Sequence, residues 1–307
     1  MAYYVGIDIG GTNVKYGLVT ETGDILAEGK VSTHHNGTEL IQTIEEIVHG
    51  YQQDYSLTAV GLSVPGVVEE TGYLTTGGSI QDFYDMDLKG LLEKKLNLPV
   101  FVENDANSAA LAEKWLGAGR EYQHLLCVVV GTGIGGGIII NGDLFRGAHS
   151  NAGEFGFMVV QPIEHQDTRL ATLSLTGSVQ CGVVSPYEIS QSGYEINQLD
   201  GETVFRLAAE GDEVAQQLID VFYDRLAIGV FNMAIAFDPE IVLIGGAISS
   251  NPSFMMELNR RVRALKEGHI DMGNVQLPAI RNCQFFNQAG IIGAVYRSIK
   301  ALAKEAN

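Results

Sequence analysis

Three carboxylates and two glycine-rich turns hold most of the chemistry in this chain of 307 residues. Asp8 ends a short apolar run and leads into Gly10-Gly11-Thr12, and a second turn, Gly131-Thr132-Gly133, follows another apolar run. Glycine after a buried strand lets the backbone approach an anion closely, so its N–H groups can point at phosphate oxygens. One such turn is also what a tight hairpin collects. Two of them, the first beside a carboxylate, describe a phosphate clamp closed from both sides. Asp105 stands in Glu103-Asn104-Asp105-Ala106-Asn107, just past a strand end, where α/β sheets present ligand sites. A carboxylate there can orient and deprotonate a hydroxyl, with Asn104 as a neutral donor and acceptor beside it. The competing reading is an Asx cap on the alanine-rich helix that follows. Glu154 lies in Gly153-Glu154-Phe155-Gly156, where burying a carboxylate is costly without polar partners. Gly245-Gly246 would let a flat base approach the backbone, and serves equally well as a plain strand-to-helix turn.

These residues need rigid elements beneath them, and the hydrophobic pattern supplies them. Alternation predicts strands at residues 3–9, 14–19 and 25–31, then buried strands at 59–64, 100–102, 125–130, 136–140 and 241–244. Helical spacing predicts helices at 40–51, 88–96, 108–116, 214–237 and 289–303, the fourth stopped by Asp238-Pro239. The strand–glycine turn–strand unit at the start recurs near residue 125, which reads as an internal duplication. Strands alternating with helices in both halves predict an α/β protein with a cleft between two lobes.

Composition narrows the partners. Hydrophobic residues make up 46% of the chain and charged ones 18%, ample for sizeable cores, and the formal net charge is −18. No basic run relieves that charge, which argues against nucleic acid or an anionic membrane as partner. Cys127, Cys181 and Cys283 lie far apart in sequence, with no CxxC pair, and fit a reducing compartment. With neither a secretory leader pattern nor a membrane-length apolar run, a soluble cytoplasmic protein is expected.

Taken together, the motifs resemble the ROK family of sugar kinases and repressors, within the actin-like (ribonuclease H-like) ATPase fold. They run in order from Gly6-Ile7-Asp8-Ile9-Gly10-Gly11-Thr12 through Val64-Pro65-Gly66, the Glu103 to Asn107 block and the Gly131 turn. Gly153-Glu154-Phe155-Gly156, Ile244-Gly245-Gly246 and Ala289-Gly290-Ile291-Ile292-Gly293-Ala294 complete the series. The resemblance implies one lobe of residues 1–117 plus 290–307 and another of 118–289, a homodimer, and ATP with Mg²⁺ as cofactors. It also implies Asp105 as catalytic base, and Asn104, Glu154 and Gly66 on the sugar. ATP would be held by Gly10, Gly11, Thr12, Gly131, Thr132, Gly133, Gly245 and Gly246. Asp8 would hold Mg²⁺ through water, a cation that takes one or two carboxylates and keeps several waters.

The chain departs from the family at one place. Most members read Glu-x-Gly-His followed by a zinc knuckle, Cys-x-Cys-Gly-x-x-Gly-Cys-x-Glu. Here Phe157 replaces the histidine, and residues 161–184 offer only His165 and Cys181 as soft ligands. A structural zinc site takes four ligands, so no zinc is expected. The histidine and the knuckle's last glutamate would hold the anomeric end of a hexose, and a pocket without them tolerates a substituent there. The expected substrate is therefore a β-glucoside such as cellobiose, phosphorylated at O6, with Phe157 against the ring or aglycone. The alternative is that Phe157 fills the space of the lost zinc site and the sugar is free glucose or N-acetylmannosamine. Two rivals of other kinds remain, a sugar-responsive repressor and a silent sugar-binding module. The first would need a DNA-binding domain ahead of residue 3, and the second would be expected to lose Asp105 or the glycine clamps.

Overall fold

The computed structural model describes residues 1–164, 166–192 and 198–306. The chain opens with strands β1 (Tyr3–Ile9), β2 (Asn13–Thr20) and β3 (Ile25–Ser32), followed by helix α1 (Gly37–Gln52) and strand β4 (Leu57–Val64). Helix α2 (Leu88–Leu96), strand β5 (Val100–Asn104) and helix α3 (Asp105–Trp115) complete the first run. The second run begins with β6 (Leu125–Val130), β7 (Ile134–Ile140) and the short β8 (Asp143–Leu144). Helices α4 (Leu173–Thr176), α5 (Ser185–Ser192), α6 (Gly201–Ala209) and α7 (Glu213–Phe237) precede β9 (Ile241–Gly245). Helix α8 (Pro252–Glu267), strand β10 (Ala279–Asn282) and helix α9 (Ala289–Glu305) follow.

The strands form two five-stranded sheets, ordered β3-β2-β1-β4-β5 and β10-β9-β6-β7-β8. Reversed, the second order repeats the first. In each sheet the middle strand continues into an antiparallel meander on one side and pairs in parallel with later strands on the other. Parallel pairing needs crossovers, which α1, α2, α7 and α8 supply, and it buries both strand faces. Accordingly β4, LTAVGLSV, has one residue that is not buried, and β5 and β9 have none. The chain forms two compact units: Met1–Tyr122 with Gly137–Ala152 and the segment from Gln284 onward, and Gln123–Gly136 with Gly153–Cys283.

In the first unit, α1 lays Leu40, Ile41, Ile44 and Val48 onto a core that also takes Val5, Ile7, Val60 and Leu62 from the sheet. Its amino end is capped by Asn36, which accepts from the Glu39 amide at 3.1 Å. Helix α9 covers the other face with Ile291, Val295 and Ala301 against Tyr4, Val19 and Phe101. The approach is close enough that a Cβ on Gly293 would overlap the Ser108 carbonyl, and one on Gly290 would overlap the Asp8 carboxylate. Trp115 stacks on Tyr296 of α9 with ring centroids 4.9 Å apart. In the second unit Cys127 and Cys283, far apart in sequence, meet with sulfurs 3.7 Å apart in the core.

Helix α3 differs from the sequence expectation. It starts at Asp105 rather than residue 108, because the Asn104 side chain accepts from the Asn107 amide at 3.0 Å and so caps the helix three residues earlier. The Asx cap weighed for Asp105 belongs to its neighbour.

Candidate active site

In the first unit, Asp8, Ser63 and Glu103 sit side by side across β1, β4 and β5. The Gly10 turn, Gly66 and the Asn104-Asp105 pair therefore leave the sheet at one edge, beyond the carboxyl ends of parallel strands. Asp8 Oδ1 accepts from Ser63 Oγ at 2.7 Å. Burial drives its carboxyl above the usual range, and the Ser63 bond and the Lys15 charge oppose this without overcoming it. A partly buried carboxylate held this way, beside an open glycine turn, fits a divalent cation well. The turn is pinned from behind: Gly10 N–H donates to Asn13 O at 3.0 Å, and Thr33 Oγ1 donates to Gly10 O at 2.7 Å. Gly11 and Thr12 are exposed, and a Cβ on Gly11 would meet nothing within 4 Å.

Asn104, 9% exposed, is heavily used within the protein. Its side-chain amide donates to Gly66 O at 2.8 Å and to Asp105 Oδ1 at 3.0 Å, while its oxygen caps α3. One lone pair on Oδ1 is what remains for a ligand. Gly66 has φ +99°, and a Cβ there would overlap Thr76 O, so glycine alone fits the turn that presents its carbonyl. Asp105 Oδ1 also accepts from the Ala106 amide at 2.8 Å. The residue itself is exposed, on the first turn of α3.

Behind this pair lies a group that the sequence reading did not single out. Glu103 is 0% exposed, and its Oε1 accepts from Asn104 N at 3.1 Å, Asn107 Nδ2 at 3.1 Å and Arg146 Nη1 at 3.0 Å. Oε2 accepts from Arg146 Nη2, and Arg297 Nε lies 3.5 Å away. The only sequence signal was a charged residue ending an otherwise apolar strand.

In the second unit, the Gly131 turn ends β6 and the Gly245 turn ends the adjacent parallel strand β9. Gly246 has φ +89°, and a Cβ there would overlap Val130 O, so the two turns touch through backbone alone. Gly131 N–H donates to Gly133 O at 3.0 Å, closing the first turn on itself. That turn is also clamped from outside. Gly131 O accepts from Val179 N at 3.1 Å and Gln180 N at 3.3 Å, and Thr132 O accepts from Ser178 Oγ at 3.0 Å and Cys181 Sγ at 3.1 Å. Ser174 Oγ accepts from Ile134 N at 3.0 Å, just beyond Gly133.

Glu154 begins a tight turn over Phe155–Phe157 that packs on β7, with Phe155 against Gly136 and Gly156 against Ile134 and Ser174. Burial alone raises the Glu154 carboxyl above its ordinary range, with no opposing charge or donor among the described residues. Phe157 is 74% exposed, so its ring does not fill an interior gap. Cys181 is committed to the Thr132 carbonyl, and His165 lies outside the described residues. Among the described residues no group of three or more His, Cys, Asp and Glu side chains is placed to hold a metal, and no helix is long and apolar enough to cross a membrane.

The ROK family model matches residues 4–301. A β-glucoside kinase from Listeria monocytogenes is 36% identical over 294 residues, covering 95% of this chain and 96% of the relative. Among solved structures, a ROK family protein from Streptococcus pneumoniae in complex with sucrose superposes with a TM-score of 0.85 at 31% identity, covering 98% of this chain and 99% of the other. A ROK family glucokinase from Streptomyces griseus in complex with glucose and AMPPNP gives 0.77 at 28% identity, covering 95% and 98%.

Proposed function

The chain belongs to the ROK family, and on that premise we propose that it transfers the γ-phosphoryl group of ATP to the 6-hydroxyl of a hexose unit, with a β-glucoside such as cellobiose as the favoured acceptor. The fold is α/β, of the actin-like ATPase type. The observation that carries the reading is the contrast in how Asp105 and its neighbours are held. Asn104 and the Ala106 amide fix one carboxylate oxygen, and the residue itself stays exposed at the strand end. In this reading Asp105 accepts the O6 proton as the oxygen attacks phosphorus. Asn104 orients the base and Gly66 shapes the sugar-facing wall. Phosphoryl transfer asks mainly for positioning and charge stabilisation, which the backbone amides after Gly10 and Gly131 supply. Gly245-Gly246 would take the adenine. Asp8 would hold Mg²⁺ through water, and the cation would neutralise charge on the phosphates. Glu154 would accept from sugar hydroxyls.

The preference for a β-glucoside rests on Phe157, whose exposed ring offers an apolar platform but no hydrogen bond to a free anomeric hydroxyl. Glucose or N-acetylmannosamine is the alternative acceptor, and a non-catalytic sugar-responsive regulator the alternative of another kind. We further propose that the enzyme is cytoplasmic and homodimeric. The test is ADP release from Mg-ATP across cellobiose, methyl β-glucoside, glucose and N-acetylmannosamine, with Asp105→Asn alongside. Highest turnover on the β-glucosides, lost in the variant, is expected. Turnover confined to free monosaccharides would remove the Phe157 argument and keep the kinase, and no sugar-dependent turnover would favour the regulator.

A further inference from the structure

We infer that Glu103 and Arg146 form a positioning device for the catalytic loop, one that sets the aim of Asp105 without touching the substrate; this rests on the kinase reading above. The loop's geometry depends on two asparagines flanking Asp105, and Glu103 reaches both. Through Oε1 it holds the main-chain amide of Asn104 and the side-chain amide of Asn107, each at 3.1 Å. Asn104 in turn grips Asp105 and Gly66. Both bonds end on Oε1, so a rotation of the Glu103 carboxylate would loosen both asparagines, and with Asn104 the side-chain amide that fixes Asp105 Oδ1.

Arg146 prevents that rotation. Its guanidinium bonds both Glu103 oxygens through its two terminal nitrogens, the fork geometry that fixes the carboxylate plane as well as its charge. Arg297 approaches Oε2 from α9, and burial together with the nearby Arg146 charge lowers its own proton affinity. Its Nε is buried and, among the described residues, has no hydrogen-bond partner. Two arginines share one carboxylate, but only Arg146 grips it geometrically. Lysine at position 146 would keep the charge and lose the fork.

That distinction makes a test. A displacement of about 1 Å in a reacting group costs roughly 100-fold in rate. Arg146→Lys is expected to lower kcat about ten-fold or more, with KM for Mg-ATP and for the sugar within two-fold and the thermal midpoint near that of the parent. Amide exchange in a peptide covering residues 103–108 should speed up locally, and this readout stands even if the protein proves to have no sugar kinase activity. Asn107→Ala removes one of the two grips and leaves the ion pair in place, so it serves if Arg146→Lys fails to fold. The same kcat-selective loss is expected there. Unchanged kcat and unchanged local exchange in the variant would overturn the inference. So would a loss of activity that simply tracks a lowered thermal midpoint, since that marks a structural role only. Absence of turnover in the parent, with exchange still faster in the variant, would sink the kinase reading and leave the positioning device standing.

Discussion

Glu103 and Glu154 are two carboxylates held in opposite ways. Glu103 is fully buried and saturated, with donors on both oxygens and two guanidinium groups around it. Glu154 is partly buried, has no cation beside it among the described residues, and its carboxyl is raised by burial alone. A saturated carboxylate costs little to keep and has nothing left to offer a ligand. An under-satisfied one destabilises the fold and gains when a donor arrives. The region that would run the reaction is over-determined by the protein, whereas the region that would read the sugar is left for the sugar to complete.

The largest effect that would test this contrast is expected at Asp105, the proposed base beside Glu103. Asp105→Asn should lower kcat by roughly 10²–10⁴, the range for removing a general base, with nucleotide binding intact by calorimetry. A residual rate near that of the parent would remove the base role and leave Glu103 supporting nothing catalytic. Glu154→Gln should act on binding instead. Losing a charged hydrogen-bond acceptor costs about 1.5–3 kcal/mol, so the sugar KM should rise roughly ten- to a hundred-fold while KM for Mg-ATP holds.

The same substitution sharpens the comparison through pH. The folded-state pKa of Glu154 is raised, so the folded protein binds this proton more tightly than the unfolded chain does. Relative to a neutral side chain, the carboxyl costs no stability below its unfolded pKa. Its cost grows as pH rises through the folded pKa and is complete above it. Glu154→Gln should therefore raise the thermal midpoint at neutral pH and leave it unchanged in acid, below the unfolded pKa. A lower midpoint at pH 7 would mean that the carboxylate has a stabilising partner. The smallest effect is expected at Phe157, whose ring is largely in solvent. Phe157→Ala should leave stability within about 0.5 kcal/mol and reduce the preference for cellobiose over glucose about five-fold, near 1 kcal/mol. An unchanged preference would assign aglycone tolerance to other residues.

The strands and the glycine turns were legible because each depends on local pattern: apolar runs for buried parallel strands, and glycine where backbones approach. The cap of α3 was misread for a local reason too, since adjacent Asn104 and Asp105 are both good caps and spacing does not choose between them. The environment of Glu103 was not legible at all. Arg146 lies 43 residues away along the chain and Arg297 sits on the far side of the fold's sequence order, and each looks in isolation like a surface charge. The clamp on the Gly131 turn was hidden likewise. It comes from Ser174, Ser178 and Cys181, in a stretch whose short helical turns and π-helical segment Gln180–Val184 follow no clear period.

The packing of α9 bears on the order of events during synthesis. Arg297, Gly290 and Gly293 all press on the β1 to α3 region, the last against the Ser108 carbonyl one turn beyond Asp105. At ~5–20 residues per second, roughly ten to forty seconds separate translation of Asp105 from that of α9. During that interval the first unit lacks one face of its sheet cover and one of the two guanidinium groups around Glu103. The nascent chain would carry the Glu103 to Asn107 segment in sequence well before holding it in shape, and the proposed phosphoryl transfer would be among the last properties the molecule acquires.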